Sequence, residues 1–339
     1  MRHYFLIVII FVMSACAPSA VPVESTPTPQ SAPKITPQQK IAPTQAPERT
    51  ATTAPPAPTR AIASTPTRAA TLALYDAHLH QVVSLAQPAL IANLKQYGVE
   101  GALLLGAHDT DAADAPFDKA NASFLMNFVG LPTDARTKKG LFTDQTAALI
   151  EQELNKSGAR GIGEISLRLT TNPNLGNAYP ADGPVALAIY DLAAKHKVPV
   201  TVHVNSTFSA ELERGADHNK SAIIIWAHVG DGQPAQVGDV LRKHANLYAD
   251  LSGRNPYMQR GYAIADQQLT NADGSLKSDW KSLLEEFADR ILFGTDISSD
   301  RYPDLNLLFT YYRSVLAQIT PDAAEKIANK NVKRILGVK

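Results

Sequence analysis

An α/β chain folded over residues 71–339 as a (β/α)8 barrel, a TIM barrel, is the architecture this sequence predicts. Three observations carry the prediction. Eight short apolar runs rich in β-branched residues recur between Leu72 and Phe293. They are continuously apolar, not alternating, as expected of parallel strands buried on both faces. Helical patterns separate most of them over a span that fits the roughly 250 residues usual for such barrels.

The strand candidates are Leu72–Asp76, Gly101–Leu105, Phe124–Val129, Gly161–Ile165, Val198–Val204, Ala222–Ala227, Asn246–Leu251 and Arg290–Phe293. Pro88–Tyr97 places Leu90, Ile91, Leu94 and Tyr97 on one helical face. Asp144–Asn155 spaces Ala148, Leu149, Gln152 and Glu153 similarly, with Thr143 as its N-cap. Pro184–His196 opens on a proline, which suits a first helical turn. Pro234–Lys243, Trp280–Phe287 and Leu305–Leu316 follow the same logic. Asp109–Asn121 is only weakly helical. Long loops are expected at Thr170–Gly183, Thr207–Lys220 and Gly253–Ser278, where they would shape a pocket. A last helix, Pro321–Leu336, is capped by Thr320 and offers Ala324, Ile327 and Ala328 for packing under the barrel.

The first 70 residues have a different texture. Met1–Ala15 has a basic start and an apolar run, Tyr4–Met13, too short for the ~20 residues a membrane-spanning helix needs. It reads as a secretory signal peptide. Ser14-Ala15-Cys16 resembles a bacterial lipobox, with Met13 where Leu is usual. Cys16 is the only cysteine, so it has no internal disulfide partner and suits lipidation. Residues 17–70 hold 12 of the 23 prolines among Ala, Thr, Ser and Gln. Such a segment cannot bury enough apolar area to offset chain entropy. Residues 16–70 therefore read as a lipidated Cys and a disordered Pro/Thr/Ala-rich linker, reaching on the order of 100 Å. The expected location is exported, anchored in a membrane through Cys16, periplasmic or at the cell surface. With 32 basic and 32 acidic residues, the chain has no charge excess that would call for nucleic acid.

Active-site side chains of such barrels come from the C-terminal ends of the strands. Those ends carry His78 and His80 (strand 1), Glu164 (strand 4), His203 (strand 5), His228 (strand 6) and Asp296 (strand 8). Residues i and i+2 of a strand face one way, so His78 and His80 can converge. Burying so many polar groups together is costly unless they pair or bind a metal. Imidazole and carboxylate ligands without sulfur suit a divalent transition metal, zinc first, with Mn or Fe as alternatives.

This ordered set resembles the amidohydrolase superfamily. Gly161–Leu167, Ile223–Gly230, Asn246–Gly253, Ile291–Ile297 and Asn329–Leu336 resemble its amidohydrolase-related (amidohydrolase 2) family. The resemblance implies that His78, His80 and Asp296 hold one metal. His203 then either joins that ion, with His228 polarising substrate, or shares a second ion with His228. In the second case Glu164 bridges, as in TatD-type hydrolases. One or two ions are thus allowed. A bound metal lowers the pKa of water toward about 7, and Asp296 moves the proton. The implied activity is hydrolysis of an amide, lactone or other ester bond of a small molecule. Alternatives are non-oxidative decarboxylation, TatD-like phosphodiester hydrolysis, and a binding lipoprotein without catalysis. Arg168 could bind a substrate carboxylate. His108 and Asn205 sit near the same mouth, and Asp250 could order a ligand or merely end its strand.

Overall fold

The computed structural model describes residues 71–82, 85–106, 119–132, 142–169, 178–258, 268–298 and 304–338. Signal peptide, Cys16, linker and His108 lie outside the described residues. Among the described residues, eight parallel strands occur in the order β1-β2-β3-β4-β5-β6-β7-β8. They are β1 Leu74–Leu79, β2 Val99–Leu104, β3 Leu125–Val129, β4 Gly161–Arg168, β5 Val200–Val204, β6 Ile224–Trp226, β7 Leu247–Asp250 and β8 Ile291–Leu292. Beyond β8 the backbone goes on to meet β1. Ala77 N–H donates to the Phe293 carbonyl (2.8 Å), Asp296 N–H to the His78 carbonyl (2.7 Å) and His80 N–H to the Ile297 carbonyl (2.9 Å). These bonds bring the two ends of the sheet together as a barrel.

The helices are α1 Gln87–Gln96, α2 Thr146–Ser157, α3 Pro184–His196, α4 Ser209–His218, α5 Pro234–Lys243, α6 Ser278–Glu286, α7 Leu305–Leu316, α8 Pro321–Glu325 and α9 Asn331–Leu336. Among the described residues, the β2–β3 connection has only a 3₁₀ turn, Lys119–Asn121. No described helix is long and apolar enough to cross a membrane.

Packing follows the strand period of two. Leu125 and Val129 join the large outer core beneath the helices. Met126 and Phe128, of opposite parity, join Tyr75, Ala77, Leu103, Leu105, Ile225 and Leu292 in a second, inner cluster. Val332 and Leu336 of α9 belong to that inner cluster. Ala324, Ile327 and Ala328 are buried in the large core cluster. A π-helical turn, Lys326–Lys330, separates α8 from α9. Such a turn adds a residue and rotates the buried face.

Three other expectations are corrected. Thr207–Lys220 is not a loop but contains α4, the β5–β6 crossover. Its buried stripe is only Leu212, Gly215 and Ala216. Gly215 weakens local helix preference, yet a Cβ there would lie 2.6 Å from the Tyr190 ring, so close packing on α3 fixes the helix. Helix α2 buries Thr146, Ile150 and Leu154, while Leu149 is exposed. The residue N-terminal to α2 is Gln145, and neither it nor Thr320 caps its helix through its side chain.

Two features of the frame yield predictions. Gly163 precedes Glu164 with φ +131°, and a Cβ there would stand 2.6 Å from the Thr201 carbonyl oxygen. Gly163→Ala is expected to destabilise the barrel by about 1–3 kcal/mol, read as a lower denaturation midpoint at unchanged slope. The second feature is a ladder between outer helices. His196 of α3 meets Glu151 of α2 at 2.6 Å, and His218 of α4 meets Asp191 of α3 at 3.1 Å. His244, just past α5, meets Glu213 of α4 at 3.2 Å. Hydrogen bonds from Lys195 and His196 hold the Glu151 carboxyl below its ordinary 4.5. A depressed carboxyl stabilises above its unfolded value and loses that contribution as pH falls through its folded value. The melting-temperature gap between wild type and Glu151→Gln should therefore be small and shrink as pH falls below 4.5. A gap that stays constant down to pH 3 would contradict this.

Candidate metal centre

All six strand-end residues meet at one mouth. His78 Nε2 lies 3.2 Å from His80 Nε2. Glu164 Oε2 lies 3.6 Å from His78 Nε2 and 3.4 Å from His80 Nε2. Asp296 Oδ1 lies 3.7 and 3.3 Å from the same two nitrogens. The other Glu164 oxygen, Oε1, faces His203 Nδ1 at 2.8 Å and His228 Nε2 at 3.6 Å. Asp296 Oδ2 lies 4.0 Å from His228 Nε2. Three overlapping donor groups result: His78, His80 and Asp296; Glu164, His203 and His228; and His78, His228 and Asp250.

The donor chemistry fits a divalent metal. Ligands about 2.0–2.2 Å from a tetrahedral ion stand roughly 3.3–3.6 Å from one another, close to the spacings around His78 and His80. His80 Nδ1 lies 3.2 Å from the Leu105 carbonyl. A carbonyl only accepts, so Nδ1 carries a proton and, in the neutral ring, Nε2 offers a lone pair. That lone pair faces two carboxylates and a second imidazole.

The local field favours positive charge. Burial favours the neutral His78 ring, but Asp250 and Glu164 outweigh it and hold its pKa well above 6.5. Burial opposes the charged His80 as well, and hydrogen bonds to Asp296 and Glu164 raise its pKa. Burial pushes Glu164 up, while His203 and His78 draw it well below 4.5.

Backbone geometry aims these groups. Asp296 has φ +58°. After β6, His228, Val229, Gly230 and Asp231 have φ of +58°, +48°, +62° and +55°. Left-handed backbone at a β-branched residue such as Val229 is strained, and such strain clusters at functional sites. Gly230 has no side chain, and the Trp226 indole occupies the place a Cβ would take.

Two contributors are not evident from sequence. Asp76 is fully buried and clamps β8 to β1. It accepts from His78 N–H (3.0 Å), Thr295 N–H (3.0 Å) and the Thr295 hydroxyl (2.5 Å). Burial pushes its pKa up to about 6 despite those bonds. Ser252, just past β7, bonds both Asp250 and His228. The signals available were an acid two residues before His78 in an apolar strand, and an Asp-x-Ser at the end of β7. Arg168 donates from Nε to Glu211 (3.2 Å) and from Nη1 to the Ala178 carbonyl (2.6 Å), and lies over the Phe208 ring. Asn205 caps a 3₁₀ turn by accepting from Thr207 N–H (3.0 Å).

A parallel (β/α)8 barrel with imidazoles and carboxylates gathered at its strand ends defines a class of TIM-barrel proteins built to bind metal. The chain belongs to the amidohydrolase family, Amidohydro_2, whose model matches residues 75–338. Solved structures agree on the fold. An uncharacterized TIM-barrel protein from Bordetella bronchiseptica is 16% identical with a TM-score of 0.57, covering 78% of this chain and 99% of the other. A putative 2-pyrone-4,6-dicarboxylic acid hydrolase from Pseudomonas putida is 14% identical with a TM-score of 0.53, covering 78% and 98%. A 2,6-dihydroxybenzoate decarboxylase from Rhizobium is 16% identical with a TM-score of 0.51, covering 78% and 99%. No curated protein matches significantly.

Proposed function

We propose that the protein is a metal-dependent hydrolase of a small-molecule amide, lactone or other ester. The observation that carries this is Glu164, whose two oxygens face two different donor groups. His78, His80 and Asp296 would hold one divalent ion, His203 and His228 a second, and Glu164 would bridge them. Zinc suits the donors best, with Mn or Fe as alternatives. Metal bound there would lower the pKa of water toward about 7 and polarise the scissile group.

The chain's own groups supply the rest. Asp296 Oδ2 points toward His228 Nε2 at 4.0 Å, where it would take the proton of the attacking water and return it to the leaving group. Glu164, drawn well below 4.5 by His203 and His78, stays ionised.

The purified full-length protein should carry close to two equivalents of divalent transition metal by elemental analysis, and His78→Ala should lose metal. In a screen of lactones, amides and esters, activity should disappear with that substitution. A metal-free protein that cannot be reconstituted, or hydrolysis that survives His78→Ala, would overturn the reading. We further propose export and lipid anchoring through Cys16, supported by the apolar run Tyr4–Met13 before Ser14-Ala15-Cys16. Cys16→Ser should move the protein from the membrane to the soluble fraction.

A further inference from the structure

We propose that Asp250 and Ser252, at the end of β7, form one positioning device that fixes the tautomers of both His78 and His228. The functional consequence rests on the metal reading above; the geometry does not.

Asp250 is fully buried. Its Oδ2 lies 3.0 Å from His78 Nδ1. Its Oδ1 accepts from His228 N–H at 3.1 Å, from Ser252 N–H at 3.0 Å and from the Ser252 hydroxyl. An ionised carboxylate only accepts. His78 Nδ1 must therefore carry a proton, and in the neutral ring this leaves the Nε2 lone pair facing His80 Nε2 at 3.2 Å.

The second ring follows from the first. Ser252 has one hydroxyl proton, and the charged oxygen of Asp250 takes it. The Ser252 Oγ lone pairs are then acceptors for His228 Nδ1, which lies 2.7 Å away. The Ser252 carbonyl is a further acceptor, 3.1 Å from the same nitrogen. His228 Nδ1 thus holds its proton, and its Nε2 lone pair faces Glu164 Oε1 and Asp296 Oδ2 at 3.6 and 4.0 Å. One buried acid commits two rings, with centroids 4.6 Å apart, to the same proton pattern.

Asparagine at position 250 has nearly the same shape but one donating end. Two backbone N–H groups crowd the Oδ1 side, and neither can rotate away. The amide oxygen must stay there, so the amide NH2 faces His78 Nδ1. His78 can meet a donor only by presenting a lone pair at Nδ1. Its proton then moves to Nε2 and points into the metal position. Groups that orient a metal-ligating imidazole in this way are worth about 10–100-fold in metal affinity.

The test uses the full-length chain labelled with ¹⁵N-histidine and stripped of metal. Long-range ¹H–¹⁵N spectra are recorded as pH is raised until the rings are neutral. Single His→Gln variants assign the signals. The expected result is the Nδ1–H tautomer at His78 and His228 in the wild type. Asp250→Asn should switch His78 to Nε2–H, leave His80 unchanged, and weaken Zn²⁺ binding by about 10–100-fold in a competition titration. Ser252→Ala should shift His228 signals and leave those of His78 in place. An Nε2–H tautomer at either ring in the wild type would overturn the proposal. So would an Asp250→Asn protein with unchanged His78 tautomer and Zn²⁺ affinity. If Asp250→Asn fails to fold, the wild-type and Ser252→Ala spectra decide. A wild type with both Nδ1–H tautomers that binds no Zn²⁺ would sink the metal reading and leave the positioning device standing.

Discussion

Asp296→Asn is expected to lower kcat/KM by about 10²–10⁴-fold, the usual worth of a positioned general acid–base group. The substitution isolates chemistry from architecture. Asp296 sits at φ +58°, a left-handed conformation that asparagine tolerates and most residues do not. Alanine there would confound lost proton transfer with backbone strain. Asparagine also keeps an oxygen that can face His78 and His80, so metal content should fall far less than activity. Kinetics on the substrate found by screening, together with elemental analysis of the same preparation, checks both halves. Activity within tenfold of wild type would remove Asp296 from the proton-transfer role.

Glu164→Gln should reduce bound metal from about two equivalents to about one and cost at least ~10²-fold in activity. Glu164 Oε2 stands 3.4 Å from His80 Nε2, while Oε1 stands 2.8 Å from His203 Nδ1. Glutamine replaces one oxygen with a donor, and a donor cannot face a cation. It also removes a charge that the surrounding histidines hold ionised well below 4.5. The His78 group retains Asp296 and should keep its ion. Wild-type stoichiometry of one that Glu164→Gln leaves unchanged would show that Glu164 bridges nothing. Loss of all metal would show instead that the two groups fill only together.

The strand ends were legible because charged or imidazole side chains interrupt runs such as Val200-Thr201-Val202-His203, where an apolar residue is the rule. Barrel order followed from strand count and spacing. Helix α4 was not legible, because a stripe of Leu212, Gly215 and Ala216 has too little apolar contrast and acquires its meaning from Tyr190 on a neighbouring helix. The buried face of α2 departs from the apolar pattern because Thr146 is buried and Leu149 exposed, against their usual preference. Asp76 and Ser252 were invisible for another reason. Asp76 acts on Thr295 and Ser252 on His228, so their roles exist only once distant strands are in register. Residue type announces that a buried acid needs partners but not which ones.

The clamp from Asp76 to Thr295 ties the first strand of the barrel to the segment after the last. The donor group proposed for a single ion is thereby drawn from opposite ends of the domain, His78 from one and Asp296 from the other. Contacts so far apart in sequence carry a large loop-closure entropy and slow folding. A chain stalled before residue 296 would hold several histidines and no complete cage. A metal bound at the proposed site would therefore act as a completion signal, since the stability that a bound ligand adds would come only once both ends of the barrel had met.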